Sequence, residues 1–161
     1  MQRILFVCTG NICRSPMAVG VFRALLRESG LGERVLVDSA GIHARVGSPP
    51  DDKAVAAVAA RGIDISLLRA RLFQLSDFID HDLILAMDHD NHSYLSFLCP
   101  PPHQHKLKLL MTYAAGTRDV EVPDPYGGNM RRFKRALEQI EQACHGLLAI
   151  VQGQNSVSWR H

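Results

Sequence analysis

The fold of this chain is decided by the stretch Ile4-Leu5-Phe6-Val7-Cys8-Thr9-Gly10-Asn11-Ile12-Cys13-Arg14-Ser15-Pro16. Its first four residues are apolar and predict a short buried strand. Pro16 suits the first position of a helix, and the apolar residues after it recur at helical spacing as far as Leu26. A strand, a tight loop and a helix in this order aim backbone N–H groups and a helix N-terminus at an anion. The stretch therefore predicts an anion-binding loop that begins with a cysteine.

The rest of the chain alternates strands with helices. Further strands are predicted over residues 35–39, 82–87 and 108–111. The predicted helices between and after them span about 51–61, 75–79, 90–99 and 129–151. This alternation predicts an α/β fold in which a parallel, four-stranded sheet carries helices on both faces. The length fits a single domain over residues 1–152, and we expect a flexible tail over residues 153–161.

Side chains that could bind a ligand or act in catalysis lie where the predicted strands end. Cys8 follows the first strand, Ser39 ends the second and Asp88 follows the third, while a loop that holds Asp124 comes after the fourth. The carboxyl ends of parallel strands meet at one edge of a sheet, and such sheets bind ligands at that edge. The sequence therefore predicts that four separate stretches converge on a single site.

Composition argues against several classes of function. The chain is 47% hydrophobic and 21% charged, which is typical of a globular protein, and its net charge of +2 gives no electrostatic reason to bind nucleic acid. No apolar run approaches the roughly 18 residues of a membrane span, and no apolar secretory signal precedes the first strand. We therefore expect a cytoplasmic protein without membrane insertion, whose four cysteines are reduced.

The one cluster that suggests a metal is Asp88, His89, Asp90 and His92. At the start of a predicted helix, an aspartate more often caps the first turn, and exposed histidines are more often solvated. We interpret the cluster as a helix cap and expect neither a metal nor a cofactor. The spacing leaves open whether Asp88 also reaches the predicted site.

A phosphoryl group is the anion that this loop suits. Backbone N–H groups of the loop and the planar guanidinium of Arg14 can bind its oxygens. The same positive field favours the thiolate form of Cys8, which can attack phosphorus without a separate base. Ser15 can donate a hydrogen bond to that sulfur. Gly10 suits a positive φ or a close approach of the backbone to the ligand, and Asn11 tolerates a left-handed conformation.

Asp124 is the candidate general acid. It lies between Pro123 and Pro125, which stiffen its loop, and two residues before Tyr126, whose ring can stack on an aryl substrate. A leaving phenoxide needs a proton, and Asp124 is placed in the sequence to supply it. The same carboxylate would then activate a water molecule against the phosphocysteine.

These residues resemble the low-molecular-weight protein tyrosine phosphatases. The run over residues 7–16 is similar to the phosphate-binding signature of that family. Three further family motifs follow in the same order, namely Asp38-Ser39-Ala40-Gly41, Ala86-Met87-Asp88 and Asp124-Pro125-Tyr126. The resemblance covers essentially the whole chain and is closest to bacterial members that act in exopolysaccharide export. It implies a flavodoxin-like fold and a two-step, metal-independent reaction.

The resemblance also implies a role for each matched residue. Cys8 would be the nucleophile, Arg14 the phosphate clamp and Asp124 the general acid. The residues implied to bind phosphate or substrate are Thr9, Gly10, Asn11, Ile12, Cys13, Ser15 and Tyr126. Together with Asn11 and Ser15, Ser39 matches a supporting hydrogen-bond network. The implied partner is a phosphotyrosine-containing protein, for which a bacterial tyrosine autokinase is a candidate, and the chain is expected to be mostly monomeric.

At three positions the residue of this chain can be compared with those of different members of the family. Leu68 stands where many members have a histidine that supports the loop, so that support must come from elsewhere or be absent. Arg45 replaces an aromatic wall of the substrate cleft, and a basic residue there favours acidic sequence around the phosphotyrosine. Ile12 is similar to tyrosine-directed members, whereas phosphoarginine-directed relatives tend to carry Thr.

Other functions stay open at this point. An arsenate reductase or a phosphoarginine phosphatase can use the same fold, and a non-catalytic phosphotyrosine-binding module would need the loop without the acid. The reductase needs two further cysteines close together, and only Cys99 and Cys144 remain. Cys13 is either a packed thiol or a redox partner that forms a reversible disulfide with Cys8.

Overall fold

The computed structural model describes residues 1–154 and confirms the predicted alternation of strands and helices. The strands are β1 (Gln2–Cys8), β2 (Val35–Gly41), β3 (Leu83–Ala86) and β4 (Leu107–Leu109). The α-helices are α1 (Arg14–Glu28), α2 (Asp52–Ala59), α3 (Asp77–Asp80), α4 (His89–Leu98) and α5 (Met130–Gln154). Two 3₁₀ turns, Pro101–Lys106 and Leu110–Tyr113, flank β4.

The four strands form one parallel sheet in the order β2-β1-β3-β4. The chain thus leaves β1 for one edge of the sheet and returns past it to the other, which creates a switch point beside β1. Ligands bind at such switch points, outside the carboxyl ends of the strands. The loop that follows β1 therefore lies where this class of sheet carries its site.

Alternating side chains of β1 divide the hydrophobic core between the two faces of the sheet. Ile4 and Phe6 pack in a core with α1 and α5, whereas Leu5 and Val7 pack in a second core with residues of α3 and α4. All four side chains have no exposed surface. Because β1 is buried on both faces, its carboxyl end is fixed on both sides, and so is the start of the loop.

Several element boundaries differ from the prediction. Helix α1 starts at Arg14, so Arg14 and Ser15 belong to its first turn. Strand β2 continues to Gly41, so Ser39 lies inside the strand, opposite Phe6, and does not end it. Helix α5 continues to Gln154, past the predicted domain end at residue 152, and the remainder of the predicted tail lies outside the described residues.

Strand β4 is shorter than predicted, because a 3₁₀ turn begins at Leu110.

Within residues 1–154, no helix is both long enough and apolar enough to cross a bilayer.

Candidate active site

The loop after β1 is held against the end of β2. The backbone N–H of Ile42 donates to the carbonyl of Cys8 at 3.0 Å, and that of His43 donates to the carbonyl of Thr9 at 2.9 Å. Gly41 makes this approach possible, because a Cβ at this position would lie 2.9 Å from the Cβ of Asn11 and 2.9 Å from the Thr9 carbonyl oxygen. The close contact explains why a glycine ends β2.

The left-handed residue of the loop is Asn11, with a φ of 55°, and not Gly10. A Cβ at Gly10 would meet only the side chain of Ile12, at 3.6 Å. The prediction of a positive φ at Gly10 is therefore wrong. Its other predicted use, a close approach of the backbone to a ligand, stays a prediction.

The Cys8 sulfur is buried and has two hydrogen-bond partners. The Asn11 N–H donates to it at 3.3 Å, and the Ser15 hydroxyl oxygen lies 3.0 Å away. That oxygen also accepts a hydrogen bond of 2.8 Å from Asn11 Nδ2, so its own proton is available for the sulfur. Donors that converge on sulfur stabilise a negative charge there.

The Asn11 side chain joins the loop to two other segments. Besides Ser15, its Nδ2 donates to the Ser39 hydroxyl at 2.8 Å, and its Oδ1 accepts from the Arg71 backbone N–H at 2.9 Å. The amide thus bonds the first turn of α1, strand β2 and the chain after α2 at once. The structure brings Asn11, Ser15 and Ser39 together, as the resemblance implies.

The loop support left open at Leu68 is provided by Arg71. Its backbone bonds Asn11, and its guanidinium contacts Asp38 at 3.0 Å and Asp77 at 3.0 Å. Although burial opposes the charge, the Asp77 hydrogen bond and the charge of Asp38 raise the pKa of the Arg71 guanidinium above its ordinary value. Sequence spacing did not reveal this cluster, because Asp38 lies 33 residues before Arg71 in the chain.

Arg14 is only 1% exposed and is anchored at one end. Its Nη1 donates to Asp88 Oδ2 at 2.6 Å and to the Val122 carbonyl at 2.8 Å. The other edge is nearly free. Nε is buried without a partner among the described residues, and Nη2 makes two long contacts, at 3.4 Å with the Thr9 hydroxyl and at 3.7 Å with an Asp124 carboxylate oxygen. An edge of two N–H groups without strong partners fits two oxygens of an oxyanion.

Asp88 caps α4 and also reaches the predicted site, a point that the sequence left open. One carboxylate oxygen accepts from Arg14, and the other accepts from the Asn91 backbone N–H at 2.7 Å and caps α4. Among the described residues, no three His, Cys, Asp or Glu side chains are grouped so that they could hold a metal ion. Asp88 is thus occupied by the arginine and the helix cap.

Asp124 stands at the mouth of the loop. Its side chain is 47% exposed, and one carboxylate oxygen lies 3.7 Å from Arg14 Nη2. The other oxygen accepts from the Tyr126 backbone N–H at 3.1 Å, which fixes the carboxylate in its turn. The Tyr126 side chain is exposed, as is that of Arg45 on the loop after β2. We refer to the predicted acid and the predicted cleft residues, Asp124, Tyr126 and Arg45, as the rim: all three are exposed, whereas Cys8 and Arg14 are buried.

The other cysteines differ from Cys8 in their surroundings. Burial, together with the charges of Asp51 and Cys8, raises the pKa of the Cys13 thiol far above its ordinary value, so it stays protonated at neutral pH. Cys144 packs in the core between the sheet and α5, whereas Cys99 packs in the core on the opposite face of the sheet. A sheet between two cysteines prevents the disulfide relay that an arsenate reductase needs.

Comparison with known proteins identifies the family. A family model described as low molecular weight phosphotyrosine protein phosphatase matches residues 3–157. The low molecular weight protein-tyrosine-phosphatase of Streptomyces coelicolor is 44% identical, with 94% of each chain covered. The low molecular weight protein-tyrosine-phosphatase YfkJ of Bacillus subtilis is 37% identical over 94% of this chain and 97% of its own length.

A solved structure supports the same assignment. The crystal structure of a protein tyrosine phosphatase from Entamoeba histolytica superposes with a TM-score of 0.92 at 33% identity, covering 96% of this chain and 99% of that one. The chain belongs to the low molecular weight phosphotyrosine protein phosphatase family. The family predicted from the motifs, its flavodoxin-like fold and its class of enzyme, the hydrolases, are thereby confirmed.

Proposed function

We propose that this protein hydrolyses phosphotyrosine in proteins through a phosphocysteine intermediate on Cys8. The observation that carries the proposal is the free edge of Arg14, which is buried in the first turn of a helix beside a buried thiol. A buried guanidinium with unpaired N–H groups is costly unless a ligand pairs with it. A phosphoryl dianion matches that edge in charge and geometry.

In the first step, the Cys8 sulfur attacks phosphorus while the aryl oxygen leaves. The phosphoryl oxygens are bound by Nε and Nη2 of Arg14 and by backbone N–H groups of the loop, which comprises Thr9, Gly10, Asn11, Ile12 and Cys13. Asp124 gives its proton to the leaving phenoxide. Its place on the exposed rim supports this role, because the leaving group points out of the loop when phosphorus faces the sulfur.

In the second step, water attacks phosphorus and the sulfur leaves as a thiolate. Asp124, now ionised, takes a proton from the water. The Ser15 hydroxyl and the Asn11 N–H stabilise the charge that returns to sulfur, and their distances of 3.0 and 3.3 Å support that role. The hydrogen bonds from Asn11 to Ser15 and Ser39 hold both donors in position.

The rim supports the choice of substrate. Tyr126 offers an exposed ring to a phosphotyrosine side chain, and Arg45 offers a positive charge to acidic neighbours of that residue in a peptide. We propose an acidic phosphotyrosine protein as the substrate, with a bacterial tyrosine autokinase as the candidate. We further propose that the protein is cytoplasmic and mostly monomeric, and that residues 1–152 form its domain.

An aryl phosphate assay with chelator tests the mechanism. Cys8→Ser is expected to lose turnover by at least about 10⁴-fold while it still binds inorganic phosphate. Asp124→Ala is expected to lose more with phenyl phosphate than with 4-nitrophenyl phosphate, because the better leaving group needs less protonation. Full turnover by Cys8→Ser would refute the mechanism.

Two further substrates separate this proposal from its rivals. A phosphotyrosine peptide is expected to be hydrolysed much faster than a phosphoarginine peptide of the same sequence, and the opposite order would favour an arginine phosphatase. Binding of the phosphotyrosine peptide without hydrolysis would favour a non-catalytic module. Arsenate reduction by added thiol would require the disulfide relay that the positions of Cys99 and Cys144 oppose.

A further inference from the structure

Asn91, on the first turn of α4, carries an unexplained feature. Its side chain is 2% exposed, and its Oδ1 is a buried acceptor without a partner in the described part of the chain. An unpaired buried acceptor destabilises a fold, and an apolar residue of similar size would avoid that cost. The helix cap does not need this amide, because Asn91 bonds Asp88 through its backbone N–H.

Within residues 1–154, the side-chain amide of Asn91 makes one hydrogen bond, and that bond is to the loop. Its Nδ2 donates to the Thr9 hydroxyl oxygen at 3.1 Å, across 82 residues of sequence. The same oxygen lies 3.4 Å from Arg14 Nη2, which can also donate to it. A hydroxyl oxygen has two lone pairs, and two N–H donors occupy both of them. The hydroxyl proton of Thr9 must therefore point away from Asn91 and Arg14.

When a phosphoryl group occupies the site, one of its oxygens can accept a hydrogen bond from the Thr9 hydroxyl. Nη2 belongs to the free edge of the Arg14 guanidinium, the edge assigned to the phosphoryl oxygens. A phosphoryl oxygen bound to that edge lies within reach of a hydroxyl that is 3.4 Å from the same nitrogen. Hydrogen bonds to a charged oxygen are about twice as strong as neutral ones.

We propose that the Thr9 side chain donates a hydrogen bond to the phosphoryl group, and that Asn91 is the positioning residue that makes it a donor. The proposal rests on the proposed function, because it concerns the same bound phosphoryl group. It adds a side-chain donor to the backbone N–H groups of the loop and gives α4 a part in substrate binding. Asp88 anchors one end of Arg14, while Asn91 orients the hydroxyl beside the other.

A double-mutant cycle with phenyl phosphate tests the proposal. Thr9→Val and Asn91→Leu are each expected to lower kcat/KM about tenfold, as for the loss of one hydrogen bond to a charged group, and to weaken competitive inhibition by inorganic phosphate. The double variant is expected to lose no more than either single variant, because both changes remove the same donor. Thr9→Ser, which keeps the hydroxyl, is expected to stay within about threefold of wild type.

The stability of the variants separates positioning from folding. Asn91→Leu removes the unpaired acceptor and is expected to unfold at the same temperature as wild type or a higher one, while its activity falls. His92→Leu is the matched control, because the adjacent ring contacts Ser96 and not the loop. It is expected to keep the kcat/KM and phosphate inhibition of wild type.

Losses that multiply in the double variant would overturn the proposal, and so would wild-type kinetics in Thr9→Val. If Asn91→Leu does not fold, Thr9→Val and Thr9→Ser decide the matter, because equal kinetics in these two variants would exclude the donated hydrogen bond. Failure of the proposed function would look different, since Cys8→Ser would then keep its activity.

Discussion

The Ser15 hydroxyl lies 3.0 Å from the Cys8 sulfur, and its oxygen already accepts a hydrogen bond from Asn11. The Asn11 bond occupies one lone pair of that oxygen and leaves the serine proton free to be donated to the sulfur. Since Asn11 is in turn bonded to Ser39 and to the Arg71 backbone, two segments distant in sequence hold the serine through Asn11. This arrangement predicts which step of the reaction depends on Ser15.

Ser15→Ala is expected to slow breakdown of the phosphocysteine more than its formation. The alanine variant lacks the donor that stabilises the departing thiolate, so kcat should fall about 10- to 100-fold. Rapid-quench measurements with an aryl phosphate should show a burst of phenol followed by slow turnover. Ser39→Ala is the control, because it removes the other acceptor of Asn11 and leaves the serine beside the sulfur. An equal loss in both variants would contradict a direct effect on sulfur.

Substitutions at Asp88 can separate its role as the cap of α4 from its role as the anchor of Arg14. Asn at this position is still a good helix cap, but it lacks the charge that anchors Arg14. We expect Asp88→Asn to unfold near the wild-type temperature and to lose about 10- to 100-fold in kcat/KM for an aryl phosphate. Asp88→Ala should lose similar activity and about 1 kcal/mol of stability in addition. Wild-type kinetics in Asp88→Asn would exclude the anchoring role.

Cys144 predicts a loss of stability at alkaline pH. Burial raises the pKa of its thiol well above the ordinary value of 9.0 in the folded chain. Below pH 9 the thiol is protonated in both the folded and the unfolded chain, so this group does not lower the free energy of unfolding. Above pH 9 only the unfolded chain releases the proton, so the free energy of unfolding falls by about 1.4 kcal/mol per pH unit for this group.

Urea unfolding between pH 9 and 11 measures this effect. Cys144→Ala should show a slope that is shallower than that of wild type by about 1.4 kcal/mol per pH unit. Other alkaline titrations occur in both proteins and cancel in the difference. Identical slopes would show that Cys144 ionises as readily in the fold as in the unfolded chain.

Cys8 and Cys13 are expected to form a disulfide after mild peroxide treatment. Peroxide oxidises the Cys8 sulfur to a sulfenic acid and is reduced to water. The Cys13 sulfur then bonds to that sulfur, and the hydroxyl of the sulfenic acid leaves as water with the thiol proton. Peptide mass spectrometry should find the Cys8–Cys13 bond, and dithiothreitol should restore activity. Cys13→Ser is the control and should accumulate irreversible oxidation at Cys8. Sulfonic acid at Cys8 of the wild type, without a disulfide, would contradict the prediction.

Arg45 is expected to select acidic peptides. A phosphotyrosine peptide with flanking glutamates should show a higher kcat/KM than its glutamine counterpart, and the difference should shrink in high salt. Arg45→Ala should reduce the preference by about two- to tenfold. Turnover of 4-nitrophenyl phosphate, which carries no peptide residues for Arg45 to contact, should stay unchanged. An undiminished preference in the variant would locate the selection elsewhere.

The strand, loop and helix around Cys8, and the edge of the sheet where the site lies, could be predicted from the sequence alone. These features follow from local periodicity and from the rule that parallel strands end together, so no distant contact is needed to predict them. The motifs also determined the family, because they recur in order along the whole chain. The exact strand and helix ends were less predictable, since packing decides where a segment stops.

The partners that hold the site residues follow from the packing of the folded chain and could not be predicted from the sequence. Arg14 is bound by Asp88 and by the Val122 carbonyl, 74 and 108 residues away, and Asn11 is bound by the Arg71 backbone, 60 residues away. Such pairs depend on how helices pack against the sheet, and no local spacing encodes them. The sequence indicated that Asn11 tolerates a left-handed conformation, but not that three segments bond its side chain at once.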